Sequence, residues 1–183
     1  MKYTYANCIN LVNAACGSNV ISMNNTYVGC YNLKNAVCGG RVRDMDYTYY
    51  NCNALTNAVC GSNVVNMNHT YEGCSSLKNP AVGSSVIKMD STYKGCTNLS
   101  SALCGSTVTS MYHAYEGCTN LTIPVCGENV TNFSGTYSEC TGITASPVCE
   151  AKVTDMSKAY FNCTSLPNKP ICGANVVNMH GTY

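Results

Sequence analysis

Apolar positions recur along this chain every 22 residues, and the pattern runs from one end to the other. Within one unit a tyrosine, a cysteine and a leucine follow at steps of three residues. A small residue or proline, a second cysteine, a valine and a methionine then complete the unit. The tyrosine column comprises Tyr5, Tyr27, Tyr49, Tyr71, Tyr93, Tyr115, Tyr137, Tyr160 and Tyr183. A fixed period of this length indicates stacked repeats. The sequence therefore predicts a single solenoid of eight 22–23-residue repeats over residues 1–183.

Each repeat predicts a short strand, a glycine turn and a looser return arm. The strand is the segment from Leu55 to Cys60 and its equivalents, which is rich in β-branched residues and closed by Gly61. Apolar residues three and four apart in the return arm are typical of a helical or 3₁₀ turn. Strands of successive units should pair in parallel, about 4.8 Å apart. We therefore expect an α/β repeat with one parallel β-sheet face and return arms that are 3₁₀, short-helical or irregular.

A single repeat cannot fold alone. About six inward apolar side chains offer it roughly 1.5–3 kcal/mol each. Ordering the backbone costs about 1–2 kcal/mol for every residue, so only neighbouring repeats make the unit stable. The chain begins and ends in the same phase of the repeat, without a polar capping unit at either end. We expect it to be a segment of a longer repeat protein.

Composition excludes several classes of function. Ten Lys and Arg against nine Asp and Glu give a formal charge of +1, and no basic patch favours a nucleic-acid partner. No apolar run is long enough for a membrane span, and the start of the chain lacks the pattern of a signal peptide. No phosphate-binding glycine loop, nucleophile elbow or carboxylate pair occurs. We expect no enzymatic activity, no catalytic residues and no cofactor.

The fifteen cysteines and three histidines could carry metal or redox chemistry. Zinc sites need close pairs such as Cys-x₂₋₄-Cys, which are absent here. His69 and His113 share one repeat position two units apart, about 10 Å on the strand spacing, which is too far to share a metal ion. Val82 replaces one member of the second cysteine column while Cys74 stays, which argues against obligate pairing. Spacing favours buried free thiols that pack as small hydrophobes, with some disulfides, or metal or redox chemistry, as the open alternatives. No metal site is expected.

The repeat motif resembles a known family. Leu-x-x-small-x-Cys-Gly-x-x-Val-x-x-Met-x-x-Thr-Tyr-x-x-Cys is similar to the treponemal or BspA-like leucine-rich repeat of bacterial surface proteins. That repeat reads Leu-x-x-Ile-x-Ile-Pro-x-x-Val-x-x-Ile-x-x-x-Ala-Phe-x-x-Cys. The likeness spans the whole chain, but Ala or Pro and Cys replace the strand isoleucines, and Gly replaces the proline. It implies a leucine-rich-repeat solenoid in an extracellular or cell-surface location, adhesion to host or matrix molecules, and no catalysis.

One apolar column has no place inside the predicted core. If Ala58 and Cys60 point inward, the alternation of a strand sends Val59 outward, and exposed apolar stripes mark interaction surfaces. The candidate binding face comprises Val37, Val59, Leu103, Val125, Val148 and Ile171, with Asn35 and Asn57 at its polar rim. The opposite register, with Val59 inward, remains open.

These observations predict a non-enzymatic binding or adhesion module that uses an extended surface. Its ligand would be a protein or a glycan of unknown identity, and self-association end to end or through the sheet face is also possible. The alternative is a structural spacer or a self-assembling fibre protein, because heterologous contacts that do not close produce filaments.

Overall fold

The described residues form a stack of coils that follows the sequence repeat. A computed structural model describes residues 3–57, 59–145, 149 and 152–183. Ala58 and Val148, which the sequence places on predicted strands, lie outside the described residues. Within the described ranges, no helix is long and apolar enough to cross a membrane.

Backbone hydrogen bonds join each coil to the next, one repeat along the sequence. The Tyr27 N–H donates to the Thr48 carbonyl at 2.9 Å, and the Tyr49 N–H donates to the Thr70 carbonyl at 2.9 Å. The same bond recurs as far as Tyr160, whose N–H donates to the Thr182 carbonyl at 2.9 Å. Equivalent residues of successive repeats therefore lie in register along the stack.

The predicted sheet is present only in part. Strand β1 (Asn13–Ala15) pairs in parallel with β2 (Asn35–Val37), and Ala14 lies opposite Ala36. Further along, the same arm has the isolated bridges Asn57↔Asn79 and Ser101↔Ile123. Ala102 donates its N–H to the Ile123 carbonyl at 3.0 Å, whereas Pro80 and Pro124 at the same repeat position have no N–H to donate. Proline therefore interrupts the sheet that the strand pattern predicts.

A more continuous parallel ladder runs along the return arms. Its members lie one residue before the methionine or phenylalanine of each repeat: Ser22, Asp44, Asn66, Lys88, Ser110, Asn132, Asp155 and Asn178. Backbone bonds beside it connect each coil with its neighbour, as where the Val65 N–H donates to the Arg43 carbonyl at 2.8 Å. The sequence did not predict this second ladder.

Helical return arms, and with them the α/β class, were a wrong expectation for the described residues. The arms are stacked turns without a helix, as the irregular alternative allowed. Each coil contains two left-handed residues, such as Tyr47 (φ 52°) and Asn51 (φ 58°), and some coils place glycine there, such as Gly73 (φ 77°). A right-handed helix cannot continue through such residues, so the chain turns back after one turn.

The core consists of columns of identical or similar side chains. Tyrosine, the first cysteine, leucine, valine and methionine are fully buried in the central coils: Tyr71, Cys74, Leu77, Val86 and Met89 are each 0% exposed. Tyrosine rings of adjacent coils stack in parallel, with centroids 5.5 Å apart for Tyr71 and Tyr93. The predicted core columns are thus buried, except that the second cysteine column is largely half-buried at the edge of the core.

Candidate functional site

The outward apolar column lies where the favoured register placed it. Ala14 and Ala36 are 7% and 8% exposed, while the residues on either side of them in β1 and β2 face solvent. Val37, Leu103 and Ile171 are 58%, 45% and 64% exposed. The opposite register is therefore wrong for β1 and β2.

Not every residue of the predicted face is fully outward. Val59 and Val125 are half-buried and pack against the core. Val148 lies outside the described residues. The described face is thus apolar, but the exposure of its side chains varies from coil to coil and is highest at Val37, Leu103 and Ile171.

Asparagine amides form the rim in pairs. The Asn35 Nδ2 donates to Asn13 Oδ1 at 2.8 Å, and the Asn79 Nδ2 donates to Asn57 Oδ1 at 3.2 Å. Each side-chain amide has two donors and an acceptor with two lone pairs, so capacity remains for a ligand. Ile123 stands in the same column and is 62% exposed. Aligning the repeats at their period would have added Ile123 to the predicted face.

Buried tyrosine hydroxyls form hydrogen bonds from the core side to the backbone of the outward apolar column. The Tyr115 Oη donates to the Leu103 carbonyl at 2.6 Å and accepts the Leu103 N–H at 2.9 Å. Tyr93 binds both backbone groups of Ala81 in the same way, at 2.6 and 3.0 Å. The pairs Tyr71–Val59 and Tyr137–Val125 repeat the arrangement. The constant offset of twelve residues between the two columns was the available signal, and the sequence-based reasoning missed it.

We call the pair of hydrogen bonds from a tyrosine hydroxyl to the residue twelve positions before it the tyrosine bridge. The tyrosine bridge and the sheet compete for the same backbone groups. The Val37 carbonyl accepts the Cys16 N–H at 3.2 Å, beside the β1–β2 pairing. Tyr49, the tyrosine twelve residues after Val37, has a buried hydroxyl with no hydrogen-bond partner among the described residues. Burial raises the pKa of Tyr49 well above its ordinary value.

Thiol and hydroxyl columns bind the coils to one another. The Cys74 Sγ donates to the Tyr49 carbonyl at 3.1 Å, and the Thr70 Oγ1 donates to the Met45 carbonyl at 2.8 Å. The same bonds recur in most coils, and the fifteen cysteines carry free thiols. Burial raises the pKa of Cys74 to about 12, so its thiolate is disfavoured. These groups are suited to joining coils and poorly suited to nucleophilic chemistry.

Two of the three histidines contact glutamate side chains in the turns of the return arm. The His69 Nδ1 lies 2.6 Å from Glu72 Oε2, and the His113 Nδ1 lies 2.5 Å from Glu116 Oε2, which also contacts Lys94 Nζ at 2.9 Å. Among the described residues, no group of three or more His, Cys, Asp or Glu side chains could hold a metal ion. The structure thus places His69 and His113 each beside its own glutamate.

An open groove of about 750 Å³ lies along the return-arm ladder, away from the predicted face. Its lining residues are Val65, Ser84, Ser85, Ile87, Ser106, Thr107, Thr109, Asn129 and Lys152. Ile87 is 42% exposed there. This second surface contains no residue of the candidate binding face.

A known structure shares this architecture. A Treponema pallidum leucine-rich repeat protein superimposes with a TM-score of 0.65 at 18% identity, covering 91% of this chain and 70% of that one. A leucine-rich cell surface protein of Faecalibacterium prausnitzii gives a TM-score of 0.44 at 15% identity, covering 90% of this chain and 60% of that one. A Bacteroides ovatus leucine-rich repeat protein gives 0.42 at 12% identity, covering 98% and 65%. No curated protein matches the sequence.

The repeat itself assigns the family. Six copies of the BspA type leucine-rich repeat region match residues 1–100 and 67–179. Proteins of this family are repeat modules that are generally non-enzymatic. This chain belongs to the BspA-type leucine-rich repeat family.

Proposed function

We propose that this chain is a non-enzymatic adhesion module of a cell-surface protein, and that it binds a protein or glycan through the candidate binding face. In this proposal the coils form one solenoid, so that the face extends over many repeats. The BspA-type family supports the surface location and the adhesive role.

The exposed apolar column carries the proposal. Val37, Leu103 and Ile171 each leave between 45% and 64% of their surface in contact with water at one repeat position. Covering apolar surface contributes about 25 cal/mol per Å², so a partner that covers several coils would gain with each one. Aligned apolar side chains favour an extended partner over a small molecule.

Rigidity of the face supports the same conclusion. The Tyr115 and Tyr137 hydroxyls hold the backbone of Leu103 and Val125 through two hydrogen bonds each. A surface that is already ordered before binding loses less conformational entropy when it binds. Asn35 and Asn57 offer amide groups beside the apolar column, and a net charge of +1 leaves little long-range steering. We therefore expect recognition through shape and hydrogen bonds.

Binding to immobilised fibronectin, laminin, collagen and a glycan array tests this proposal. A double substitution, Val37→Lys with Leu103→Lys, adds two charges at exposed positions. We expect the wild-type chain to bind at least one probe and the double variant to bind it at least about tenfold more weakly. Desolvating a lysine in an apolar contact accounts for that loss.

Ile87→Lys is the matched control, because Ile87 is similarly exposed but lies on the return-arm groove. Binding that is equally weakened by Ile87→Lys, or unchanged by the double variant, would refute the assigned face. Absence of binding to every probe, together with regular filaments in electron microscopy, would instead support the structural alternative.

A further inference from the structure

Two cysteine–methionine sulfur contacts lie in neighbouring coils at the edge of the core. The Cys38 Sγ is 3.8 Å from Met45 Sδ, and the Cys60 Sγ is 3.5 Å from Met67 Sδ. Cys60 and Met67 follow Cys38 and Met45 by one repeat. We call these four residues the sulfur cluster.

The two pairs are adjacent because the coils stack in register. Equivalent tyrosine rings of these same coils, Tyr49 and Tyr71, have centroids 5.5 Å apart. A Cβ atom at Gly61, the residue after Cys60, would lie 3.6 Å from the Cys38 Sγ, so the Cys38 thiol faces the next coil beside Cys60. The cluster therefore brings two thiols and two thioethers to one place.

Thiolate and thioether sulfurs are soft ligands that select Cu⁺ over hard cations. Metal–thiolate bonds of about 2.3 Å let a single ion bind both sulfurs of a pair that lie 3.5–3.8 Å apart. The described residues offer no cluster of His, Cys, Asp and Glu for a harder ion, and here methionine completes the donor set.

The cysteines of the cluster are less deeply buried than those of the first cysteine column. Cys38 and Cys60 are half-buried, whereas Cys52 and Cys74 are 0% exposed. A side chain at Gly83 would come within 3.1 Å of the Cys60 Sγ. Glycine at that position therefore avoids a close contact with the thiol.

We propose that the sulfur cluster binds one soft monovalent metal ion, Cu⁺ or its analogue Ag⁺. Each cysteine that coordinates loses its thiol proton to solvent as the metal–sulfur bond forms, and the ion keeps its +1 charge.

The chain contains its own comparison coil. Val82 stands at the second cysteine position of the fourth repeat, so Met89 has no cysteine seven residues before it. Met89 is buried like Met67, at 0% exposure. Met89→Leu is therefore a matched control for Met67→Leu, because both remove one buried thioether sulfur at nearly constant volume.

Anaerobic titration of the reduced chain with Cu⁺, in competition with the chromogenic chelator bathocuproine disulfonate, tests the site. We expect one tightly bound ion per chain, a sulfur-only coordination shell by X-ray absorption, and ultraviolet thiolate-to-metal absorption. Met67→Leu and Cys60→Ala should each weaken binding at least about tenfold, and Met89→Leu should leave it unchanged.

Circular dichroism of each variant establishes that it is folded. If Cys60→Ala is unfolded, Met67→Leu still tests the site through a substitution that keeps the side-chain volume. Equal affinity of Met67→Leu and wild type, equal losses in Met67→Leu and Met89→Leu, or nitrogen and oxygen ligands around the metal would each overturn the proposal.

Discussion

A tyrosine hydroxyl in this fold takes the hydrogen-bonding place of a neighbouring strand. The Tyr115 Oη is bonded to both backbone groups of Leu103, so this residue needs no partner strand for them. Tyr49 shows the other outcome, since the Val37 carbonyl is already bonded and the phenol has no partner among the described residues. Tyrosines of one column thus differ in energetic role, because some hydroxyls satisfy backbone groups and the Tyr49 hydroxyl does not.

Replacing these two tyrosines with phenylalanine should have opposite consequences. Tyr115→Phe leaves the Leu103 N–H and carbonyl without their partner and should lower the free energy of unfolding by about 1–3 kcal/mol. Tyr49→Phe removes a buried hydroxyl without a bond and should be neutral or stabilising. Urea denaturation followed by circular dichroism measures both. Equal destabilisation by the two substitutions would contradict the assigned bridge.

At the scale of the element, the two arms of a coil differ in how far their ladders extend. The strand arm contains Pro80 and Pro124, and its pairing reduces to β1–β2 and isolated bridges. The described return arms connect each coil with the next, from Ser22 to Asn178. The return arm therefore carries the main hydrogen-bonded seam, although the sequence suggested the strand arm.

Proline substitutions should distinguish the contributions of the two arms to stability. Val65→Pro removes the N–H that donates to the Arg43 carbonyl at 2.8 Å and should destabilise the chain by about 1–3 kcal/mol. Ala102→Pro also removes one donor, but its repeat position accepts proline in other coils, so we expect a loss of about 1 kcal/mol or less. Thermal unfolding compares the variants. A larger loss for Ala102→Pro would show that the strand arm is the more important seam.

At the scale of the whole molecule, columns of neutral acids fill the interior. Burial raises the pKa of Cys74 to about 12, that of Cys60 to about 11 and that of Tyr27 to about 12. The protonated forms are the ones that the core accommodates. Their combined effect makes the stability of the entire stack sensitive to alkaline pH.

Stability should be nearly constant at neutral pH and fall steeply above about pH 9. Between the unfolded thiol pKa of 9.0 and the folded value of about 12, Cys74 is deprotonated in the unfolded chain but protonated in the native one. The unfolded state then binds fewer protons, so stability falls by about 1.4 kcal/mol per pH unit for each such group. Urea midpoints measured across this range give the slope of stability against pH. Cys74→Ala should make that slope shallower by the contribution of one thiol. A pH-independent midpoint up to pH 11 would contradict the burial of these thiols.

Periodicity alone determined the family and most of the core. A spacing of 22 residues placed tyrosine, cysteine, leucine, valine and methionine in register, and the structure buries these columns. It also placed Val37, Leu103 and Ile171 outside, because the alternation of a strand depends only on local geometry. Such features follow because each repeat packs against a neighbour of nearly the same sequence.

Tertiary structure decided which backbone groups pair with which. Sequence spacing gave apolar residues three and four apart in the return arm, but left-handed residues such as Tyr47 and Asn51 turn the chain back before a helix forms. The tyrosine bridge from Tyr115 to Leu103 closes within one turn of the chain, whereas the thiol bond from Cys74 to the Tyr49 carbonyl joins successive coils. The thiol bond exists only once neighbouring coils have stacked, because its two partners lie more than one repeat apart along the chain.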